Sequence, residues 1–257
     1  MCTSSVDVQD HKDATSVRKR HYAMNVECVS PIQQRTKRTC SQVSQTSHLP
    51  FSPCIQIDDN VVNLLQCSDL FVGKEVIITE KLDGGNCQLY QGRVYARTCK
   101  NEATHQSFSG IKSIYAQIKY LIPNNLALFG ENMLGIHSIE YNNLKSFFYL
   151  FSILEGGTRW LGWDEIVDIA EEIGVPHVPL LFRGTFNSSE EIQFWMDEHI
   201  TKNSQVGSNT GPEGFVIRTV DGCDVNDFEG SIAKYVRKNH VQTGVDWKRT
   251  WKAAKIK

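Results

Sequence analysis

Val76-Ile77-Ile78-Thr79-Glu80-Lys81-Leu82-Asp83-Gly84-Gly85-Asn86 is the stretch that decides how this chain is read. The β-branched run Val76-Ile77-Ile78 predicts a buried strand. The paired glycines predict a tight turn, where backbone can approach a ligand closely. Lys81 is therefore delivered at a strand end, beside a carboxylate and a Gly-rich turn, which places an amine next to a candidate nucleotide pocket. A lysine with a reference pKa of about 10.4 is a poor nucleophile until its surroundings lower that value. Burial, a nearby cation such as a metal ion, or both would do so. An isolated K-x-D-G also arises as ordinary solvated turn chemistry, so its meaning rests on the residues downstream of it.

The 257 residues suffice for one large domain or two small ones, and 40% hydrophobic with 22% charged residues is a soluble globular composition. The net charge of −2 carries no global nucleic-acid signature. Charge is unevenly spread, however. From Lys234 onward stand Lys234, Arg237, Lys238, Lys248, Arg249, Lys252, Lys255 and Lys257 against one acid, Asp246. That end reads either as a solvated basic tail or as a phosphate-binding surface. The cysteines, at 2, 28, 40, 54, 67, 87, 99 and 223, form no C-x-x-C pair. Zinc and a disulfide framework are disfavoured, and a reducing compartment is expected. No apolar run has the length of a membrane span, and residues 1–25 hold no signal-peptide core. The expected location is cytosolic or nuclear, with no membrane association.

Residues 1–46 are rich in Ser, Thr, Gln, Val and charge without sustained periodicity, and are expected to be a disordered tail. Its clusters Arg18-Lys19-Arg20 and Lys37-Arg38 read as solvated, with a nuclear address or an RNA-touching arm as alternatives. Asp7, Asp10 and Asp13 argue against an organellar transit peptide. One domain is expected over residues 47–257, opening with the stiff segment His48-Leu49-Pro50-Phe51-Ser52-Pro53.

Gln91-Gly92 links two strand-like runs as a hairpin. Ile111, Ile114, Tyr115, Ile118 and Leu121 predict an amphipathic helix ending before Pro123. Leu126 to Phe129 and Phe147 to Ile153 read as apolar strands. Helices are expected over 164–173, stopped by Gly174 and Pro176, and from Ser188 or Ser189 onward. Two further strand-like runs are Glu213-Gly214-Phe215-Val216-Ile217-Arg218 and Ser231-Ile232-Ala233-Lys234-Tyr235-Val236. Strands and helices are mixed without regular βαβ alternation, which favours an α+β fold over a doubly wound sheet.

Five charged residues fall at strand ends: Lys81, Arg97, Glu131, Glu213 and Lys234. Singly each is more often solvent-facing. Together they supply a nucleophilic amine, two carboxylates for a metal or ribose, and cations for a triphosphate. In order and spacing this series, from about His48 to Thr243, resembles the covalent nucleotidyltransferase superfamily of polynucleotide ligases and capping enzymes. Within it, the chain is most similar to the ATP-dependent RNA ligases, the branch of phage-type nick-sealing and trypanosome-type editing enzymes.

That resemblance implies an adenylation domain of antiparallel sheets flanked by helices. It implies that Lys81 attacks the α-phosphate of ATP to form lysyl-AMP, aided by Mg²⁺ or Mn²⁺. Glu80 would sit on the adenine side, and Asp83, Gly84 and Asn86 would shape the turn. Arg97 would contact the nucleotide or the reacting phosphate, Glu131 the ribose and Phe151 the adenine. The Phe151 position also reads as core, because its run is wholly apolar. Glu213 would bind metal, Arg218 would support phosphate chemistry and Lys234 would open the last motif. The family often has Lys-x-Lys there, whereas this chain continues Tyr235-Val236-Arg237-Lys238, so the second cationic role falls to Arg237 or Lys238. His105 and His240 are read as structural or solvent-facing.

The implied reaction joins an RNA 5′-phosphate to a 3′-hydroxyl by a monomeric enzyme, with the tail free to recruit a protein partner. A DNA ligase or GTP-using capping enzyme is the alternative on the same scaffold. Those typically carry an OB-fold after the last motif, and the residues beyond Lys234 here are too few for one. A nucleotide- or RNA-binding module without catalysis is the alternative of a different class.

Overall fold

The structure, a computed structural model, describes residues 45–98, 101–208, 210–240 and 251–257. The expected tail, save its last two residues, and residues 241–250 of the basic end lie outside them. The described residues belong to one compact unit, Thr39–Lys257.

Two antiparallel sheets carry the fold. The first is built on β1 (Val76–Lys81), which pairs on one side with β8 (Leu180–Gly184) and on the other with β9 (Gly214–Thr219); β11 (Ile232–Val236) completes the order β11-β9-β1-β8. The second has the order β10-β7-β6-β4-β2-β3. Its long members are β2 (Gly85–Tyr90), β3 (Arg93–Ala96), β4 (Leu126–Asn132) and β6 (Phe148–Glu155), and its short ones β7 (Arg159–Trp160) and β10 (Cys223–Asp224). A small pair joins β5 (Gly135–Ile136) to β12 (Lys252–Ala253), so the basic end returns to the body of the protein. The α+β expectation holds, with antiparallel sheets throughout.

Side-chain alternation sorts the strands into layers. Val76, Ile78, Phe215, Ile217, Ala233 and Tyr235 point to one core with α1 (Leu64–Phe71) and α4 (Ser189–His199). The second sheet buries Leu89, Leu128 and Ile153 with α2 (Ser109–Ile118) and α3 (Trp163–Ile173). A third, smaller cluster, including Phe129, Trp160, Phe228 and Ile232, draws on strands of both sheets.

Local chemistry explains the ends of these elements. Gln91 and Gly92 both have positive φ, 44° and 78°, as a two-residue hairpin matched to strand twist requires. Gly174 closes α3 in the left-handed region, and the Ser188 side chain caps α4. The expected α2 stops sooner than its apolar spacing implied, at Ile118, leaving Leu121 exposed. α1 has no counterpart in the periodicity, because Leu64 and Leu65 face solvent and only Cys67 and Phe71 are buried. Its sequence signal is the Asn63–Gln66 capping box.

The glycine turn differs from expectation. Neither Gly84 nor Gly85 has positive φ. Gly84 is required for space: a Cβ there would meet the Asn132 carbonyl oxygen at 2.6 Å and the Met133 sulfur at 2.9 Å. The turn residue lies directly on β4.

Candidate active site

A cavity of about 770 Å³ opens between the two sheets, and Lys81, Arg97, Glu131, Glu213 and Lys234 all line it. Strand pairing accounts for the meeting. Lys81 ends β1 opposite Gly214, which sets it beside Glu213 just ahead of β9. Lys234 lies opposite Val216 one strand further on, and Asn86 of β2 lies opposite Glu131 of β4. Asn86 also lines the cavity.

Lys81 Nζ donates to Glu213 Oε1 as an ion pair. Burial opposes the ammonium charge, but the carboxylates of Glu213, Glu131 and Asp83 outweigh it and hold the pKa above its ordinary value. In the protein alone Lys81 is thus further from a free amine than the sequence implied, because its neighbours are acids. Burial, reinforced by Glu213 and Asp83 and opposed by Lys81, pushes the Glu131 carboxyl up to about 8.

Asp83 is fixed by three donors to one oxygen: Oδ2 accepts from the Ser138 N–H at 2.8 Å, the Ser138 hydroxyl at 2.6 Å and the Ile139 N–H at 2.8 Å. Its other oxygen, Oδ1, lies 3.9 Å from Nε2 of buried His240, which is also 3.4 Å from Glu213 Oε1. His240, expected to be structural or solvent-facing, is instead a wall of the site. No local sequence signal marks it, since its position depends on the chain turning back after β11.

Lys234 is held from the opening segment. Leu49 N–H donates to the Lys234 carbonyl at 2.8 Å, and the Lys234 N–H to the Ser47 carbonyl at 2.9 Å. Asp59 then reaches both Lys234 Nζ, at 3.5 Å, and His48 Nε2, at 3.2 Å. Burial foremost, with Lys234 adding, lowers the His48 pKa to about 4, so His48 is a neutral donor to Asp59. Its Nδ1 then accepts from the Ser52 hydroxyl at 2.9 Å. Asp59 was missed by sequence reasoning, because no motif surrounds it.

The apolar end contains Phe151, Val178, Val216, Phe228 and Ile232. On β6, Ser152 pairs with Phe129 and Leu150 with Gly130, which leaves Phe151 as the extra residue of a bulge. A bulge re-aims its side chain, and Phe151 lines the cavity within an otherwise buried run. Arg218 spans the sheets here: its Nη1 donates to the Phe151 carbonyl at 2.9 Å and to the Ser152 hydroxyl at 3.0 Å. Its guanidinium carbon lies 5.0 Å from the Trp163 ring centre, and burial lowers its pKa to about 10. Glu80 lines the cavity but its oxygens accept from the Ser204 hydroxyl at 2.5 Å and the Gln205 N–H at 2.8 Å.

Arg237 is the expectation the geometry corrects. Strand alternation turns Lys234 and Val236 to the cavity, whereas Arg237 donates to the Thr210 carbonyl and lies outside the lining. Lys238 is exposed and outside it too. The place two residues after Lys234 is taken by Val236.

Among the described residues, the lining cations are Lys81, Arg97, Arg218 and Lys234, against the carboxyls of Asp59, Glu80, Asp83, Glu102, Glu131 and Glu213. A polyphosphate entering such a site needs added positive charge. The residues present fit a divalent ion: Asp83, Glu213 and His240 each offer one atom within 4.8 Å of the others, and Glu213 Oε2 is buried without a hydrogen-bond partner.

The comparisons with known proteins agree with this architecture. Residues 74–236, more than half of the chain, match the model of the RNA ligase family. Among solved structures, an apo lysine-to-alanine mutant of a Naegleria gruberi RNA ligase is 22% identical, with a TM-score of 0.50 over 67% of this chain and 52% of that one. A glutamate-to-alanine mutant of a Naegleria gruberi RNA ligase with ATP and Mn is 18% identical, with a TM-score of 0.51 over 77% of this chain and 62% of that one. An arginine-to-alanine mutant with ATP and Mn is 19% identical, with a TM-score of 0.52 over 79% and 57%. At such identities the likeness is one of fold, and the chain spans between 52% and 62% of the length of these proteins. No curated protein matches it significantly. With the family match running from just before β1 to the end of β11, through each of the strands that carry Lys81, Glu131 and Lys234, the chain belongs to the RNA ligase family.

Proposed function

We propose that this protein is an ATP-dependent RNA ligase that works through a lysyl-AMP intermediate. The observation that carries the reading is Lys81 at the end of a central strand, paired to Glu213 inside a cavity of nucleotide size, about 770 Å³. Lys81 Nζ attacks the α-phosphorus of ATP; the nitrogen–phosphorus bond forms, the bond to the bridging oxygen breaks, and pyrophosphate leaves. AMP then passes to the 5′-phosphate of an RNA end. A 3′-hydroxyl displaces the AMP and closes the phosphodiester.

The chain's own residues orient these steps. Phe151 offers a ring to adenine, and Glu131 a carboxyl to the ribose. Arg97 and Lys234 face phosphate, Lys234 being steadied by Asp59. Asp83 and Asn86 form the wall beside Lys81. Glu213 holds the proton-bearing Lys81 amine in place through its ion pair. Asp83, Glu213 and His240 would hold Mg²⁺ or Mn²⁺, which when bound supplies positive charge for phosphoryl transfer. Attack on an anionic phosphate is chiefly a problem of positioning and charge neutralisation, and this cavity is short of cations.

Val236 favours a second reading, a nucleotide-binding module without catalysis, since it occupies a cavity-facing place where the family often has lysine. Joining of a 5′-phosphorylated RNA to a 3′-hydroxyl end, with ATP and a divalent metal, separates the two. Sealed RNA that disappears in Lys81→Ala supports the ligase; ATP binding without any adenylated protein or RNA supports the module.

A further inference from the structure

We propose that His240 is a nitrogen ligand in a divalent-metal site completed by Asp83 and Glu213, and that it tunes this site toward a transition ion such as Mn²⁺ over Mg²⁺. The ion's use in catalysis rests on the ligase reading; its binding does not.

The three side chains arrive from separate parts of the chain: the turn after β1, the residue before β9 and the segment beyond β11. His240 Nε2 lies 3.4 Å from Glu213 Oε1 and 3.9 Å from Asp83 Oδ1. Ligands about 2.1 Å from a common ion stand roughly 3 to 4 Å apart, so the donors are already spaced for one.

Hydrogen bonding within the protein does not account for this corner. Glu213 is 3% exposed and His240 7%, yet Glu213 Oε2 and His240 Nδ1 are both buried without hydrogen-bond partners. Buried polar atoms are nearly always satisfied, and an orphaned carboxylate oxygen points to a missing positive partner. Asp83 is built for the same end. Three donors saturate its Oδ2, which fixes the carboxylate and leaves Oδ1 toward His240.

The chemistry of the donor set then decides the ion. Mg²⁺ favours oxygen ligands and keeps its waters, whereas imidazole nitrogen suits later first-row ions. Two carboxylates with one imidazole therefore shift the balance from Mg²⁺ toward Mn²⁺. Val236, facing the same cavity, leaves a cationic place unfilled that a firmly held ion would serve.

The test is Mn²⁺ titrated into the full chain without nucleotide, followed by electron paramagnetic resonance and its nitrogen modulation. Wild type should bind Mn²⁺ and show coupling to an imidazole nitrogen. His240→Asp should bind Mn²⁺ without that coupling, which excludes any other histidine as its source. His240→Gln should weaken Mn²⁺ by about tenfold or more, with a smaller loss for competing Mg²⁺. Failure of wild type to bind, bound Mn²⁺ without nitrogen coupling, coupling that persists in His240→Asp, or an unchanged Mn²⁺/Mg²⁺ ratio in a folded His240→Gln would each overturn the assignment. Coupling in a protein that never accepts AMP would retain the ligand and overturn the ligase; an AMP adduct without coupling would do the reverse.

Discussion

Asp59 bridges Lys234 and His48, one carboxylate oxygen 3.5 Å from the lysine nitrogen and the other 3.2 Å from the imidazole. The bridge joins the segment that opens the described chain to the last motif of the family. Asp59→Ala should leave Lys234 without its ion-pair partner. Hydrogen bonds to charged groups contribute about 1.5–3 kcal/mol, so a stability loss of that order is expected in a denaturant titration. The rate of adenylation should also fall by about tenfold through misplaced Lys234, with a weaker effect on ATP binding. Glu at 59 should restore part of the rate. An unchanged rate in both variants would remove Asp59 from the positioning role.

His48 gives the fold a pH dependence with a defined sign. Burial and Lys234 hold its folded pKa near 4, below the 6.5 of the unfolded chain. The unfolded state therefore gains a proton that the folded state refuses as pH falls from about 6.5 to about 4. Stability from this group is complete above that window and is lost on the way down through it, by at most about 3 kcal/mol. His48→Gln should flatten the difference between unfolding curves at pH 7.5 and 5. An equally steep loss in the variant would place the dependence elsewhere.

Two arginines that look alike in the sequence should behave differently. Arg218 is 9% exposed and bonds to the backbone of Phe151 and to Ser152, whereas Arg97 is exposed on the cavity rim. Arg218→Ala should lower stability by about 2–3 kcal/mol as the sheets lose this tie and a buried carbonyl loses its donor. Arg97→Ala should leave the unfolding midpoint unchanged and weaken adduct formation. Equal stability losses would contradict the division of roles.

Gly130 tests the packing beneath Glu131. A Cβ there would meet the Phe148 ring at 2.3 Å and the Tyr149 carbonyl oxygen at 2.8 Å. Gly130→Ala should therefore cost about 1–3 kcal/mol from overpacking. Gly92→Ala, at φ +78° with nothing within 4 Å, should cost about 1 kcal/mol through backbone strain alone. A neutral Gly130→Ala would mean that β6 gives way readily.

The sheets and the principal site residues were legible because their signals are local. A β-branched run into K-L-D-G set β1, and the apolar runs ending near Glu131 and Arg218 set β4 and β9. Strand parity was available too: Arg237 is an odd number of residues from Lys234, so the two cannot share a face of one strand. What stayed hidden depends on tertiary pairing. Phe151 enters the cavity through a bulge that an all-apolar run conceals. Asp59 and His240 carry no motif, and each reaches the site only because the chain packs back on it. Lys81 reads as an amine awaiting a lowered pKa, yet three carboxylates surround it and raise that pKa.

The most direct test of the account is incubation of purified protein with α-labelled ATP and Mn²⁺ or Mg²⁺, followed by denaturing electrophoresis. Label should remain on the protein, should be released by pyrophosphate, and should be absent from Lys81→Ala that is folded by circular dichroism. Label retained in Lys81→Ala, or none on folded wild type with either metal, would contradict Lys81 as the nucleophile.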